Sequence, residues 1–247
     1  MILEFSVSNF LSFKDKVTFS MIATSNKGLE DNYVVIGDKK ILKSVAIYGA
    51  NASGKSNLFK ILSQVIMMLS MSNNVDINAK LPIVPFKLDK ESITKPSEFE
   101  IKFILDEIRY VYGFVADTNQ IYEEYLYYYP NGRETKIFDR TNINEYSFPQ
   151  KDEKILREIE TKNAKNKFFL STATNWNFDK TKPAYDFLTN ALGTCDNLEV
   201  LKNMAFNLYE TNPDDLKEFA INFLKKADFN IEDYQVSKVD FPQELLN

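Results

Sequence analysis

Leu3, Phe5 and Val7 alternate with Glu4, Ser6 and Ser8, and Val17, Phe19, Met21 and Ala23 keep the same period of two. That period marks half-buried strands, and two of them this close predict an antiparallel pair joined around residues 9–16. Ser44-Val45-Ala46-Ile47-Tyr48 is a short, mostly apolar run that reads as a buried strand. The period then changes: Leu58, Ile61, Leu62, Val65, Ile66 and Leu69 recur at helical spacing and predict a helix from Asn57 to Met71. Asn73, Asn74, Pro82 and Pro85 break the pattern and make residues 72–85 a loop. Residues 86–140 read as an antiparallel meander. In it Phe99, Ile101, Phe103 and Leu105 alternate up to a turn at Asp106-Glu107, residues 108–116 return, and Ile121 to Tyr129 follows. Asn131-Gly132 is a strong hairpin signal, after which residues 136–138 pair back.

Beyond residue 150 the pattern turns helical. Helices are predicted over 154–162, over 183–192 with Gly193 as terminator, over 196–209 capped by Asp196, and from Asn212-Pro213 to Lys226. Residues 229–239 are mixed and strand-like. The change divides the chain into a β-rich part, residues 1–150, and a helical part, residues 151–247.

Between the predicted strand 44–48 and the helix lies Gly49-Ala50-Asn51-Ala52-Ser53-Gly54-Lys55-Ser56, which fits the phosphate-binding loop pattern G-x-x-x-x-G-K-[ST] in its required strand–loop–helix context. Gly49 and Gly54 let the backbone turn tightly and approach phosphate oxygens. The loop amides and the helix N-terminus form an anion nest. Lys55 reaches the β- and γ-phosphates of a nucleotide and the Ser56 hydroxyl ligates Mg²⁺.

An antiparallel pair ahead of the loop, the stretch Gly49-x-Asn51-x-Ser53-Gly54-Lys55-Ser56-Asn57 and the opening Phe5-Ser6-Val7-Ser8-Asn9-Phe10-Leu11-Ser12-Phe13 resemble the ATPase heads of the RecF, SMC and ABC superfamily. Their loop has the form G-x-N-G-S-G-K-[ST]-N and their first turn the form N-F-x-S-F. More closely, the chain looks like the RecF/SMC-like AAA-type ATPases of bacterial abortive-infection and phage-defence operons. The resemblance is clear over residues 1–62 and weaker through Pro85-Phe86-Lys87-Leu88, Phe99-Glu100-Ile101, Tyr112-Gly113-Phe114 and Phe168-Phe169-Leu170-Ser171, runs of ordinary strand composition.

The resemblance implies an α/β P-loop NTPase of ABC/SMC-head type: a mixed sheet, an antiparallel meander and a helical C-terminal part. It implies ATP and Mg²⁺ as ligands, bound by Gly49, Ala50, Asn51, Ala52, Ser53, Gly54, Lys55, Ser56 and Asn57, with Lys55 as the catalytic cation. Two heads are expected to sandwich ATP as a homodimer, and an effector protein to be gated by it. Many of these heads carry a basic residue in the first turn that meets phosphate. Leu11 stands there instead, which leaves Lys14 or Lys16 as substitutes.

Composition narrows the function classes. In 247 residues with 44% hydrophobic and 14% aromatic content there is material for a sizeable core. The single cysteine, Cys195, and the absence of histidine exclude an internal disulfide, cysteine-rich zinc sites and imidazole catalysis. No apolar run is long enough to span a membrane and no signal peptide is evident, which together predict a cytoplasmic protein. A net charge of −5 speaks against a general nucleic-acid binder; the clusters Lys39-Lys40-Lys43 and Lys162-Lys165-Lys167 read as solvated surface. Tyr122, Tyr125, Tyr127, Tyr128 and Tyr129 read as a half-buried strand rather than a base-stacking platform.

Hydrolysis needs an acidic strand of the hhhhDE kind to hold magnesium and polarise water. Ile104-Leu105-Asp106-Glu107 mimics it, but Glu100 and Lys102 make that strand alternate, and the acidic pair reads as a hairpin turn. No L-S-G-G-Q-like signature and no guanine-reading N-K-x-D element is found, since Asn26-Lys27-Gly28-Leu29 lacks the aspartate. The chain therefore reads as the N-terminal half of a head. The competing readings are a nucleotide-binding switch that does not hydrolyse, a compact NTPase using Asp106 and Glu107, and a DNA-repair ATPase of RecF type.

Overall fold

The computed structural model describes residues 1–24, 30–193, 198–227, 229 and 231–235. The chain forms two compact units, Met1–Thr194 and Cys195–Asn247.

The first unit is built on one seven-stranded sheet of order β2-β1-β5-β6-β7-β8-β9, from β1 (Ile2–Ser8), β2 (Val17–Ser20), β5 (Ser97–Leu105), β6 (Ile108–Ala116), β7 (Ile121–Tyr129), β8 (Thr135–Thr141) and β9 (Glu145–Ser147). Every pairing is antiparallel. The expected pair β1–β2 and the meander are thus formed. The mixed sheet is not: among the described residues no parallel pairing occurs. A small hairpin, β3 (Tyr33–Ile36) and β4 (Lys39–Leu42), escaped the periodicity reading, although Gly37-Asp38 between two β-branched or apolar runs is a two-residue turn signal.

The alternation seen in sequence becomes two unlike sheet faces. Phe5, Val7, Phe99, Ile101, Phe103, Tyr112 and Phe114 point inward and are buried. Onto them α1 (Lys55–Met71) lays the stripe Leu58, Ile61, Leu62, Val65, Met68 and Leu69. The spacing i, i+3, i+4, i+7 puts these six on one helix face. The opposite sheet face is wet, and there the tyrosines of β7 are tied to acids: Tyr125 to Glu100 at 2.7 Å, Tyr127 to Asp139 and Tyr129 to Glu134 at 2.5 Å. Burial of these phenols, with their carboxylate neighbours, pushes their pKa up, so they stay protonated hydrogen-bond donors.

Three helices after residue 150 cover the inner face: α2 (Glu153–Glu160), α3 (Phe169–Asn175) and α4 (Lys182–Asp186), the last running into a π turn, Phe187–Ala191. Phe168 to Ser171, strand-like by composition, instead starts α3, because its first amides have a partner from outside. That partner is Glu124 of β7. Its carboxylate, fully buried, accepts Phe169 N at 2.6 Å, Leu170 N at 2.9 Å and the Tyr112 hydroxyl at 3.1 Å. Arg140 lies 3.9 Å away, also fully buried, and donates to the carbonyls of Ile143, Lys167 and Lys165. One carboxylate thereby caps a helix and fastens it to the sheet.

The second unit is helical. It pairs α5 (Leu198–Thr211) and α6 (Pro213–Lys226), with Leu216, Ala220 and Leu224 half-buried and Phe219 and Phe223 exposed. The expected cap Asp196, the element Asn26–Leu29, Cys195 and the end of the strand-like stretch 229–239 lie outside the described residues; 231–235 have no regular structure.

Replacing Glu124 by Ala leaves Arg140 buried without its acid and two helix amides without an acceptor. A loss of about 3–5 kcal/mol in unfolding free energy is expected, read as a lower urea midpoint.

Candidate phosphate-loop site

The loop 49–56 connects residues 44–48 to α1. Gly54 is the N-cap residue of α1 at φ +93°, a left-handed conformation that suits glycine. Its place is constrained a second way: a Cβ there would stand 2.8 Å from Ser12 Oγ and 3.3 Å from the Phe13 ring. The β1–β2 turn therefore abuts the phosphate loop. Ala52 at the crest also has φ +63°, where the form of the resembling heads carries glycine. An alanine in that region costs roughly 1–2 kcal/mol.

The first turn of α1 is arranged for an anion. It has no side-chain cap and no acidic residue, whereas α2 and α6 begin with Glu153 and with Asp214 and Asp215. Open amides and the positive end of the helix dipole are thus left for a ligand. The Lys55 ammonium folds back onto the loop and donates to the carbonyls of Gly49 at 2.8 Å and Ala50 at 2.7 Å, with Ser53 Oγ at 3.5 Å. Ser53 N closes the loop on Ala50 O at 3.3 Å. Ser56 and Asn51 are exposed and Asn57 is half-buried at the first turn. The residues present fit a Mg·nucleotide: amides and an ammonium for phosphate oxygens, and an accessible hydroxyl at Ser56 for the cation.

The predicted strand before the loop is not formed. No backbone hydrogen bond is made by residues 44–48 among the described residues, Val45 is 41% exposed and Tyr48 89%. A strand needs a neighbour to satisfy its amides, and the seven-stranded sheet closes without this segment. On α1, Phe59, Met67 and Met71 are likewise exposed.

Asp106 and Glu107 form the turn of the β5–β6 hairpin, with Leu105 paired to Ile108 and both turn residues at positive φ. They sit at the end of β5 remote from Ser12 and Phe13. Nine residues of strand put them about 25–30 Å away, so no magnesium site is shared with Ser56. Neither lysine of the first turn replaces the basic residue missing at Leu11. Lys14 is paired with Asp89 at 3.3 Å, and Lys16 lines a shallow pocket on the wet sheet face with Glu98 and Glu100. The Ser92 hydroxyl and amide, with Lys14, hold the Asp89 carboxyl below its ordinary pKa, so that pair persists into mild acid. Two features of the site were missed in sequence, the contact of Ser12 with Gly54 and the retracted ammonium of Lys55. The first could have been suspected from serine and glycine in tight motifs that share one resemblance; the second has no sequence signal.

A family model described as "AAA domain, putative AbiEii toxin, Type IV TA system" matches residues 44–229, more than half of the chain. The chain belongs to this AAA-domain family. The match begins at the unpaired segment and contains the whole phosphate loop. No curated protein matches the chain. Membership makes this an AAA ATPase-type, nucleotide-binding domain of the abortive-infection kind. No helix among the described residues is long and apolar enough to cross a membrane.

Two substitutions separate the demands of the loop backbone. Ala52→Gly is expected to raise the melting temperature slightly, a gain of up to about 1 kcal/mol after the entropy cost of glycine. Gly54→Ala meets both positive φ and Ser12, and is expected to destabilise the chain by at least about 1 kcal/mol, read by thermal melting of both variants beside the parent.

Proposed function

We propose that this chain binds Mg·ATP through residues 49–57 and is the N-terminal lobe of a RecF/SMC-like ATPase head. Gly49 through Gly54 and the first amides of α1 hold the phosphates, Lys55 meets the β- and γ-oxygens, and Ser56 ligates the magnesium. The observation that carries the reading is an anion-ready helix N-terminus preceded by an apolar segment with no strand beside it. A phosphate loop ordinarily follows a strand buried in a parallel sheet. Residues 44–48 have the composition of such a strand and lack its neighbours. The missing neighbours, and with them the acidic residues that polarise water, come from a further segment or subunit that adds strands at 44–48.

In this reading two heads close on ATP, and closure gates an effector in an abortive-infection system. The reading of Asp106 and Glu107 as catalytic is not supported by their place in a remote turn. A second reading follows from the same fact: the chain by itself is a nucleotide-binding switch without turnover.

Calorimetric titration with Mg·ATP and a phosphate-release assay test both statements. The parent chain is expected to bind without appreciable turnover. Lys55→Ala is expected to lose roughly 2–4 kcal/mol of binding, the value of a charge-assisted phosphate contact. Equal affinity in Lys55→Ala would sink the site assignment. Lys55-dependent turnover by the chain alone would sink the half-head reading.

A further inference from the structure

The turn between β1 and β2 is held far more firmly than a surface turn requires. Phe10 and Phe13 exchange both backbone hydrogen bonds, at 2.9 and 3.0 Å, and the Phe10 ring is fully buried. Asn9, at φ +49°, donates its side-chain amide to the carbonyls of Ser92 and Lys95 at 2.8 Å and Pro96 at 3.1 Å, and accepts Phe86 N at 3.1 Å. The Ser97 hydroxyl donates to Asn9 O, and Leu11 N to Val84 O at 2.8 Å. Lys14 adds its ion pair with Asp89. Every polar side chain of residues 9–14 but one is thereby spent within the protein, and Leu11 packs against the core. The exception is Ser12, which is exposed, makes no hydrogen bond among the described residues, and has its hydroxyl beside Gly54 at the start of α1.

A hydroxyl on a fixed turn, next to uncapped helix amides, has the chemistry to complete an anion site: it donates one hydrogen bond and carries no charge. We infer that Ser12 is a ligand-contacting residue of the phosphate loop, donating to a phosphate oxygen of a nucleoside triphosphate held at the N-terminus of α1. The inference rests on the phosphate-loop reading above. Asn9 is the positioning residue that aims it, through the carbonyls of residues 92–96. The consequence for the ligand is a first turn that contributes a neutral donor, with Lys55 as the cation of this lobe's loop.

Titrations of the chain with Mg·ATP and with Mg·tripolyphosphate, on the parent, Ser12→Ala, Ser12→Thr and Lys55→Ala, test it. Ser12→Ala is expected to bind both ligands about tenfold more weakly, as loss of a hydrogen bond to a charged group gives. Its melting temperature should be unchanged, since the parent hydroxyl has no protein partner, and Ser12→Thr should bind within about twofold of the parent. Parent-like affinity in Ser12→Ala beside a weakened Lys55→Ala would overturn this inference alone. A loss confined to ATP, with tripolyphosphate unaffected, would also overturn it, because the contact would then be to sugar or base. Unchanged binding in Lys55→Ala would overturn the phosphate-loop reading and this inference with it.

Discussion

The packing of α1 on the inner sheet face is the constraint from which the site follows. Six apolar side chains of one helix stripe meet the aromatic rows of β1, β5 and β6, and their burial is worth on the order of 1.5–3 kcal/mol for each large side chain. That contact fixes where the helix begins. Its first turn is brought against the β1–β2 turn, and Gly54 is the residue at the junction because a side chain there would collide with Ser12. The geometry of the phosphate loop is thus set by apolar packing many residues away from it. The Glu124 cap does comparable work on the same face, where it ties α3 to β7.

Much of this was legible in the chain. Alternation at Leu3, Phe5 and Val7 and at Phe99, Ile101 and Phe103 reports the same physical fact twice, a sheet with one dry face. The spacing of Leu58, Ile61, Leu62 and Val65 gives α1 nearly to the residue. The loop motif is legible because phosphate binding restricts residue types at short spacing. Failures occurred where a local pattern depends on distant partners. Val45-Ala46-Ile47 has strand composition, yet a strand exists only in company, and no neighbour joins it here. Phe168 to Ser171 looks like a strand until the Glu124 carboxylate, 45 and 46 residues before the amides it accepts, supplies helix-capping acceptors. Tertiary context outweighs propensity in both cases.

Membership in an AAA-domain family and an unpaired segment at the start of the family match belong together. An antiparallel subdomain with its own aromatic core is stable as a layer, and the loop 49–56 is presented outside that core. Division of labour of this kind separates folding from chemistry. The scaffold holds the loop in shape, and on the proposed reading what completes the loop decides what it does.

The bonding of the Lys55 ammonium to its own loop bears on selectivity. Two backbone carbonyls accept hydrogen bonds from the Lys55 ammonium, so the loop itself solvates that cation. On the proposed function, a phosphate must out-compete both carbonyls, so inorganic phosphate and other small anions, which offer few contacts in return, would gain little by entering. A triphosphate chain that also engages the helix amides recovers what it displaces. If the loop holds phosphate as proposed, that competition selects ligands by the number of contacts they bring rather than by charge alone.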